Sequence, residues 1–341
     1  MMPTRFAIIA VPLAFATALL LGVAASSRAD ASIVIKFSHV VTEDTPKGKA
    51  ALKFKELAEQ RTQGKVKIEV YPNGTLYRDK DEVAALQLGA VQILAPSLAK
   101  FGFLVPEFEV FDLPYLFDDY TALHKVTDGS IGQKLLRKLE TKGIIGLAFW
   151  DNGFKVMSGN RPLRSPADFV GMNMRIQSSS VLDAQMRALG AQPQLIDFPD
   201  VYRALKTGIV DGTENPPSNL YSQKMYEVQR HVTVSNHGYL GYAVIVNKRF
   251  WESLPSDIRD TLENTMRDVT RYANAIAKQE NDDALDAVRR SGKNRVYALT
   301  PEERQSWKNV LLAVHREQER RIGKETIEAI YTATGFNPGK P

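Results

Sequence analysis

Residues 256–292, SDIRDTLENTMRDVTRYANAIAKQENDDALDAVRRSG, run for about 37 positions with no proline, and the first glycine is the last residue. Apolar residues recur at Ile258, Leu262, Met266, Val269, Ala273, Ile276 and Ala277, the spacing of one face of a helix. A continuous helix of that length spans about 55 Å, more than one small domain. The stripe lacks strict leucine heptads, which argues against a coiled coil and for a strut lying across two lobes. The remaining sequence therefore has to supply two bodies for this helix to bridge.

The chain has 341 residues, 44% hydrophobic and 24% charged, a composition that fits two ordinary globular domains. The net charge of +5 is spread along the chain, without a basic stripe interleaved with aromatics. Nucleic-acid binding is therefore not expected. There is no cysteine, which excludes disulfides, thiolate metal sites and lipid attachment at a cysteine.

Arg5 precedes the uncharged run FAIIAVPLAFATALLLGVAA, residues 6–25, and small and polar residues follow up to Ala29-Asp30-Ala31. This pattern predicts a signal peptide over residues 1–31, cleaved near the Ala-Asp-Ala site. The run is long enough for an uncleaved anchor, but Pro12 interrupts it. No second stretch approaches membrane length. The expected mature protein is soluble and periplasmic.

From residue 33 a strand–helix–strand series begins, with strands at 33–40, 65–72 and 92–97 and helices at 47–64 and 79–91. Two further helical stretches lead to a strand at 144–150. Short joins between alternating elements predict a parallel α/β sheet. A second series starts near residue 153 and includes MNMRIQ, AQPQLID and VDGTENP as strands, and GYAVIVNKRFW, 241–251, reads as another. Residues 300–323 form a last amphipathic helix that opens at Thr300-Pro301. The expected organisation is two α/β lobes, 32–152 plus 241–280 and 153–240 plus 281–341, with a ligand cleft between them.

The chemistry-bearing motifs are few. The histidines are His39, His124, His231, His237 and His315, with no pair at metal-binding helical spacing, so no metal is expected. No nucleotide-binding glycine loop and no G-x-S-x-G occurs, and no cofactor is expected. Ser178–Ser180 read as a helix cap. Asp211 and Glu214 stand close enough for an acid/base pair, yet Asp211-Gly212 reads equally as a turn. A secreted enzyme using that pair is the competing function.

The cations are more informative. In GMNMRIQSSS, 171–180, Met172, Met174 and Ile176 alternate as an apolar strand face, and Arg175 points the other way. A solvated arginine on an edge strand would explain it; so would an anion-binding cleft. Arg175 ends a strand beside a helix N-terminus, which favours anions. Lys155 lies one strand earlier. A guanidinium matches a carboxylate bidentately and a lysine adds a compact second charge.

GMNMRIQSSS, FPDVYRALKTGIVDGTENPPSNLYSQK and HGYLGYAVIVNKRFW resemble the solute-binding proteins of tripartite ATP-independent periplasmic (TRAP) transporters, DctP type, and the resemblance covers about residues 32–335. It implies a two-lobed periplasmic binding protein fold with a long helix spanning both lobes, closing around an organic acid. It implies that Arg175 clamps the ligand carboxylate, that Asn215 hydrogen-bonds beside it, and that Lys155 adds a basic contact. Further candidates are Gln177, Tyr239, Ser97 and His39. The implied partners are the integral membrane subunits of the transporter, with no enzymatic activity in this chain, which is expected to be a monomer. Two cations in one site point to a C4-dicarboxylate such as succinate, malate or fumarate, although one of them can instead serve a hydroxyl or a structural glutamate. Another carboxylate, such as a 2-oxo acid, lactate or a sugar acid, and a sensor role at a membrane receptor stay open.

Overall fold

The structure is a computed structural model and describes residues 32–339. The expected signal peptide lies outside the described residues.

The chain opens with β1 (Ile33–Ser38), α1 (Pro46–Arg61), β2 (Val66–Tyr71), α2 (Glu82–Gln87) and β3 (Ile93–Leu94). Two 3-10 turns precede α3 (Tyr120–Thr127), α4 (Ser130–Lys138) and the long β4 (Ile144–Phe154). The second series is β5 (Val156–Gly159), β6 (Asn173–Ile176), α5 (Ser180–Ala188), β7 (Gln192–Leu195), α6 (Val201–Thr207), β8 (Gly212–Asn215), α7 (Pro217–Ser222) and β9 (His231–Val234). Then come β10 (Tyr239–Asn247), α8 (Lys248–Ser253), α9 (Ser256–Arg290), β11 (Arg295–Ala298), α10 (Pro301–Leu311), α11 (Ala313–Ile322) and α12 (Lys324–Thr334).

These strands make two sheets, ordered β2-β1-β3-β10-β4 and β11-β9-β5-β8-β6-β7. The chain passes between them at Lys155, at residues 235–238 and through α9. The first two crossings are tied together where Lys155 N donates to Gly238 O at 2.8 Å.

Local chemistry sets the element ends. Thr45 Oγ1 accepts from Gly48 N at 3.1 Å and Pro46 supplies a preset φ, so α1 starts there. Thr300 and Glu303 form a reciprocal capping box at the start of α10. Gly208 ends α6 in the left-handed region at φ 75°, open to glycine without strain. The first sheet is buried on both faces. Phe37, Trp150 and Val244 pack with Phe54 of α1 and Leu262 and Val269 of α9, while Leu94, Phe149 and Ile245 pack with Phe108 and Phe111. In the second sheet Met172, Met174 and Ile176 join Trp307 in one core cluster.

The sheets are mixed rather than parallel. β10 runs antiparallel to β3 and β4, and β5 antiparallel to β8 and β9. A strand returning directly from the other sheet has no helical crossover to reverse it, so it enters from the opposite end. The 241–251 segment is strand only to Asn247. Asn247 Oδ1 accepts from Phe250 N at 2.8 Å, a cap that turns the chain into α8. The helix expected at 300–323 breaks after Leu311, and a further helix, α12, follows. α12 packs on α3, α4 and residues 106–112 rather than with the second sheet, because Ile327 and Ile330 complete the core around Leu123 and Val126.

α9 is the expected strut. Its 35 residues pack on α1 and β4 at the first sheet and on α7 and β11 at the second.

Candidate functional site

Between the sheets lies a cavity lined by Val40, Val41, Lys47, Asp79, Ser97, Lys100, Leu240 and Tyr242 from the first-sheet side, and Gln177, Phe198, Asn215 and Asn219 from the second. The space is about 20 Å³, the order of a single water site. A larger groove between α4 and α11–α12 is rimmed by Lys134, Lys138 and Lys324, but it lies on the surface and draws nothing from the second sheet.

β6 delivers Arg175 and Gln177. It is an interior strand, paired in parallel with β7 on one side and β8 on the other, so Arg175 is buried at 1% exposure rather than solvated on an edge. Arg175 is not itself in the cavity lining: its Nε donates to Ile196 O at 2.9 Å, and its guanidinium stands over the ring of Phe198, which does line the cavity, 5.9 Å from the centroid. Burial lowers its pKa, and Asp79, Glu214 and Asp197 oppose that shift. Asn215, at the end of β8, donates Nδ2 to Thr213 Oγ1 at 3.2 Å, while its buried Oδ1 has no partner. Gln177 and Ser97 also face the cavity.

Besides Arg175, three candidates sit outside the cavity lining. Lys155 is buried and its Nζ lies 2.7 Å from Glu214 Oε1 and 3.8 Å from Asp112 Oδ1, so a structural glutamate takes its charge. Tyr239 donates its hydroxyl to Asp151 Oδ1 at 2.7 Å and packs in the opposite core from Tyr242. Strand alternation turns Leu240 and Tyr242 to the face shared with α1 and α9, and Tyr242 is the tyrosine that lines the cavity. His39 lies outside the cavity lining, its ring edge-on to Phe37; burial, with the Lys47 charge, lowers its pKa to about 3, so it is neutral.

Asp211 and Glu214 are both engaged. Asp211 Oδ2 accepts from Asn173 N at 2.8 Å. Glu214 Oε2 meets His237 Nε2 at 2.8 Å, and His237 Nδ1 meets Ser235 Oγ at 2.7 Å. The order of groups resembles a serine–histidine–acid relay, yet Ser235 and His237 are completely buried and neither lines the cavity. Burial lowers the His237 pKa, so the neutral imidazole and Ser235 hydrogen-bond Glu214 in a chain, and Lys155 compensates its charge. Among the described residues no cluster of three His, Asp or Glu side chains is arranged for a metal ion, and no helix is long and apolar enough to cross a membrane.

Sequence reasoning missed Lys47, Asp79, Lys100, Asn219 and Tyr242. Lys47 had one legible signal: a lysine in the first turn of a capped helix, where the helix dipole disfavours a cation. Lys100 pairs with Asp79, and Asp79 Oδ2 also accepts Phe198 N at 3.0 Å across the cleft. Burial raises the Asp79 pKa, but Lys100, the Phe198 amide and Arg175 outweigh it, and the net shift is downward.

Residues 37–321 match the family described as bacterial extracellular solute-binding protein, family 7. The chain belongs to this family. Among its family 7 relatives, the C4-dicarboxylate-binding periplasmic protein DctP of Rhodobacter capsulatus is 64% identical over 320 residues, 94% of this chain and 96% of that protein. The C4-dicarboxylate-binding protein DctB of Bacillus subtilis is 44% identical over 299 residues, 87% of this chain and 85% of that protein. A TRAP periplasmic solute-binding protein of Shewanella oneidensis, solved with bound succinate, superposes with a TM-score of 0.87 at 44% identity, covering 89% of this chain and all of that one. The family 7 fold is thus the two-lobed arrangement described above.

Proposed function

We propose that this protein is the extracytoplasmic solute-binding subunit of a TRAP transporter and captures a C4-dicarboxylate such as succinate, malate or fumarate. The observation that carries the reading is one cavity lined from both sheets, with the buried Arg175 guanidinium 5.9 Å from the ring centroid of Phe198 in its lining. A rigid fork held by Ile196 O is preorganised for a carboxylate. Bringing the two sides together removes water from the ion pair and strengthens it. Asn215, Gln177 and Ser97 supply neutral polar contacts around it. The 64% identical Rhodobacter relative and the succinate-bound Shewanella structure support the choice of acid. A Pseudomonas aeruginosa relative at 44% identity, solved with bound L-malate, supports it too.

The protein works without turnover, in the periplasm, and hands its ligand to membrane subunits that recognise the closed form, a population shift set by the ligand. Thermal unfolding with succinate, malate, fumarate, lactate, pyruvate and galactonate tests the reading. A ligand at 100 times its Kd stabilises the fold by about 2.7 kcal/mol. The C4 diacids are expected to raise Tm most, and each is recovered unchanged. No shift with any organic acid would sink the proposal; a larger shift with galactonate would move it to a sugar acid.

A further inference from the structure

Lys47 is a cation in a costly place. It is buried at 2% exposure, in the first turn of α1, where the helix dipole is also positive. Its Nζ donates to Ala95 O at 2.9 Å and stands 3.8 Å from the centroid of the Tyr242 ring. An ammonium carries three donors, and this one hydrogen bond leaves others for the cavity it lines.

Two other lysines are matched by carboxylates: Lys100, beside Lys47 in the cavity wall, by Asp79, and Lys155, outside the cavity, by Glu214. Among the described residues no carboxylate oxygen lies within the 4.0 Å ion-pair distance of Lys47 Nζ. Asp79 and Glu82 act on it from farther away, Lys100 and His39 flank it, and both Glu82 oxygens are buried without partners. Asp79 also acts on Arg175, so both cations lie within the field of one carboxylate in the cavity wall. One cation comes from the first-sheet side and the other from the second.

We infer that Lys47 receives the second carboxylate of the ligand and is the residue that selects diacids over monoacids. The inference rests on the proposed function and adds the residue that sets its specificity. A diacid joins Arg175 on one side to Lys47 on the other and compensates both buried charges. A monoacid held by Arg175 leaves the Lys47 charge facing an apolar chain end, and that uncompensated charge rejects it.

The test is calorimetric titration of wild type, Lys47→Met and Lys47→Arg with succinate and with butyrate, which has the same four carbons and one carboxylate. Wild type is expected to bind succinate at least about 100-fold more tightly than butyrate. Lys47→Met is expected to lose that ratio, with succinate falling to the level of butyrate and butyrate unchanged or tighter. Lys47→Arg keeps a charge and is expected to retain a preference for succinate. A Lys47→Met protein that keeps the wild-type ratio overturns the inference, as does one that weakens both acids equally while its ligand-free melting is normal. If Lys47→Met does not fold, a Lys47→Arg protein without preference overturns it. Wild type that binds neither acid overturns the proposed function itself and this inference with it.

Discussion

The Lys155 ammonium stands 2.7 Å from Glu214 Oε1, and both side chains are buried where the chain passes from one sheet to the other. The pair neutralises the crossing, and His237 and Ser235 complete it. Removing one member strands the other charge. Glu214→Gln is expected to destabilise the fold by about 3–5 kcal/mol, read by urea unfolding at pH 7. A loss under ~1 kcal/mol would mean that the pair is solvated.

The same glutamate shapes the acid limb of stability. Burial pushes its pKa up, but Lys155 and His237 outweigh this and hold it at about 2, against 4.5 when free. A depressed acid contributes stability that is present above pH 4.5 and disappears as the pH falls toward 2. Between those values the Glu214→Gln protein is expected to lose less stability than wild type. Parallel acid limbs in the two proteins would contradict this.

Asp112 behaves in the opposite sense. Burial raises its pKa to about 7, with Lys155 and the Ser179 hydroxyl opposing, and its Oδ2 has no partner. Its unfolded form ionises first, so it lowers stability as the pH rises from about 4 to 7. Asp112→Asn is expected to flatten that fall, measured as unfolding free energy at pH 5 and pH 8. An unchanged difference between the two pH values would remove Asp112 as its source.

Arg175→Lys keeps the charge and loses the planar fork that Ile196 O orients. Succinate affinity is expected to drop by at least about 100-fold with ligand-free Tm little changed, since fork and charge act together on the carboxylate. Near-normal affinity in calorimetry would take Arg175 out of the site.

Arg78, after β2, joins the first-sheet side to the segment after β7, paired with Asp200 and 3.8 Å from Asp197 Oδ2. The arginine is 60% exposed, so its worth is small and sensitive to salt. Arg78→Ala is expected to speed succinate release by roughly two- to fivefold with little change in association, as expected for a surface pair. Stopped-flow release rates that match wild type at both low and high salt would count against a latch.

What could be read from sequence follows the range of the interaction. The apolar stripe from Ile258 to Ala277 is a local pattern, and α9 appears where it was expected. Arg175 stood out because strand alternation left it unexplained. Lys155 read as a second, weaker cation for the same cleft, but its partner Glu214 is 59 residues away and the paired strands β5 and β8 bring them together. Tyr239 and Tyr242 are three positions apart on one strand, so opposite faces separate them, and which face met the cavity depended on packing. Lys47 was hidden inside an otherwise ordinary amphipathic helix. Its signal was a conflict with the helix dipole, which registers only when the helix start is known.

Asn281 of α9 donates to Asn152 O at 2.8 Å and accepts from Ser218 N at 2.9 Å. Ser218 Oγ meets Asn152 Oδ1 at 2.8 Å, and Asn152 Nδ2 reaches the Tyr242 hydroxyl at 2.7 Å. The strut is thus geared to the wall of the binding cavity through one relay of amides and hydroxyls. Asn152 joins the tyrosine of the cavity wall to the helix that packs on both sheets, so the polar wall of the cavity and the strut share one set of hydrogen bonds.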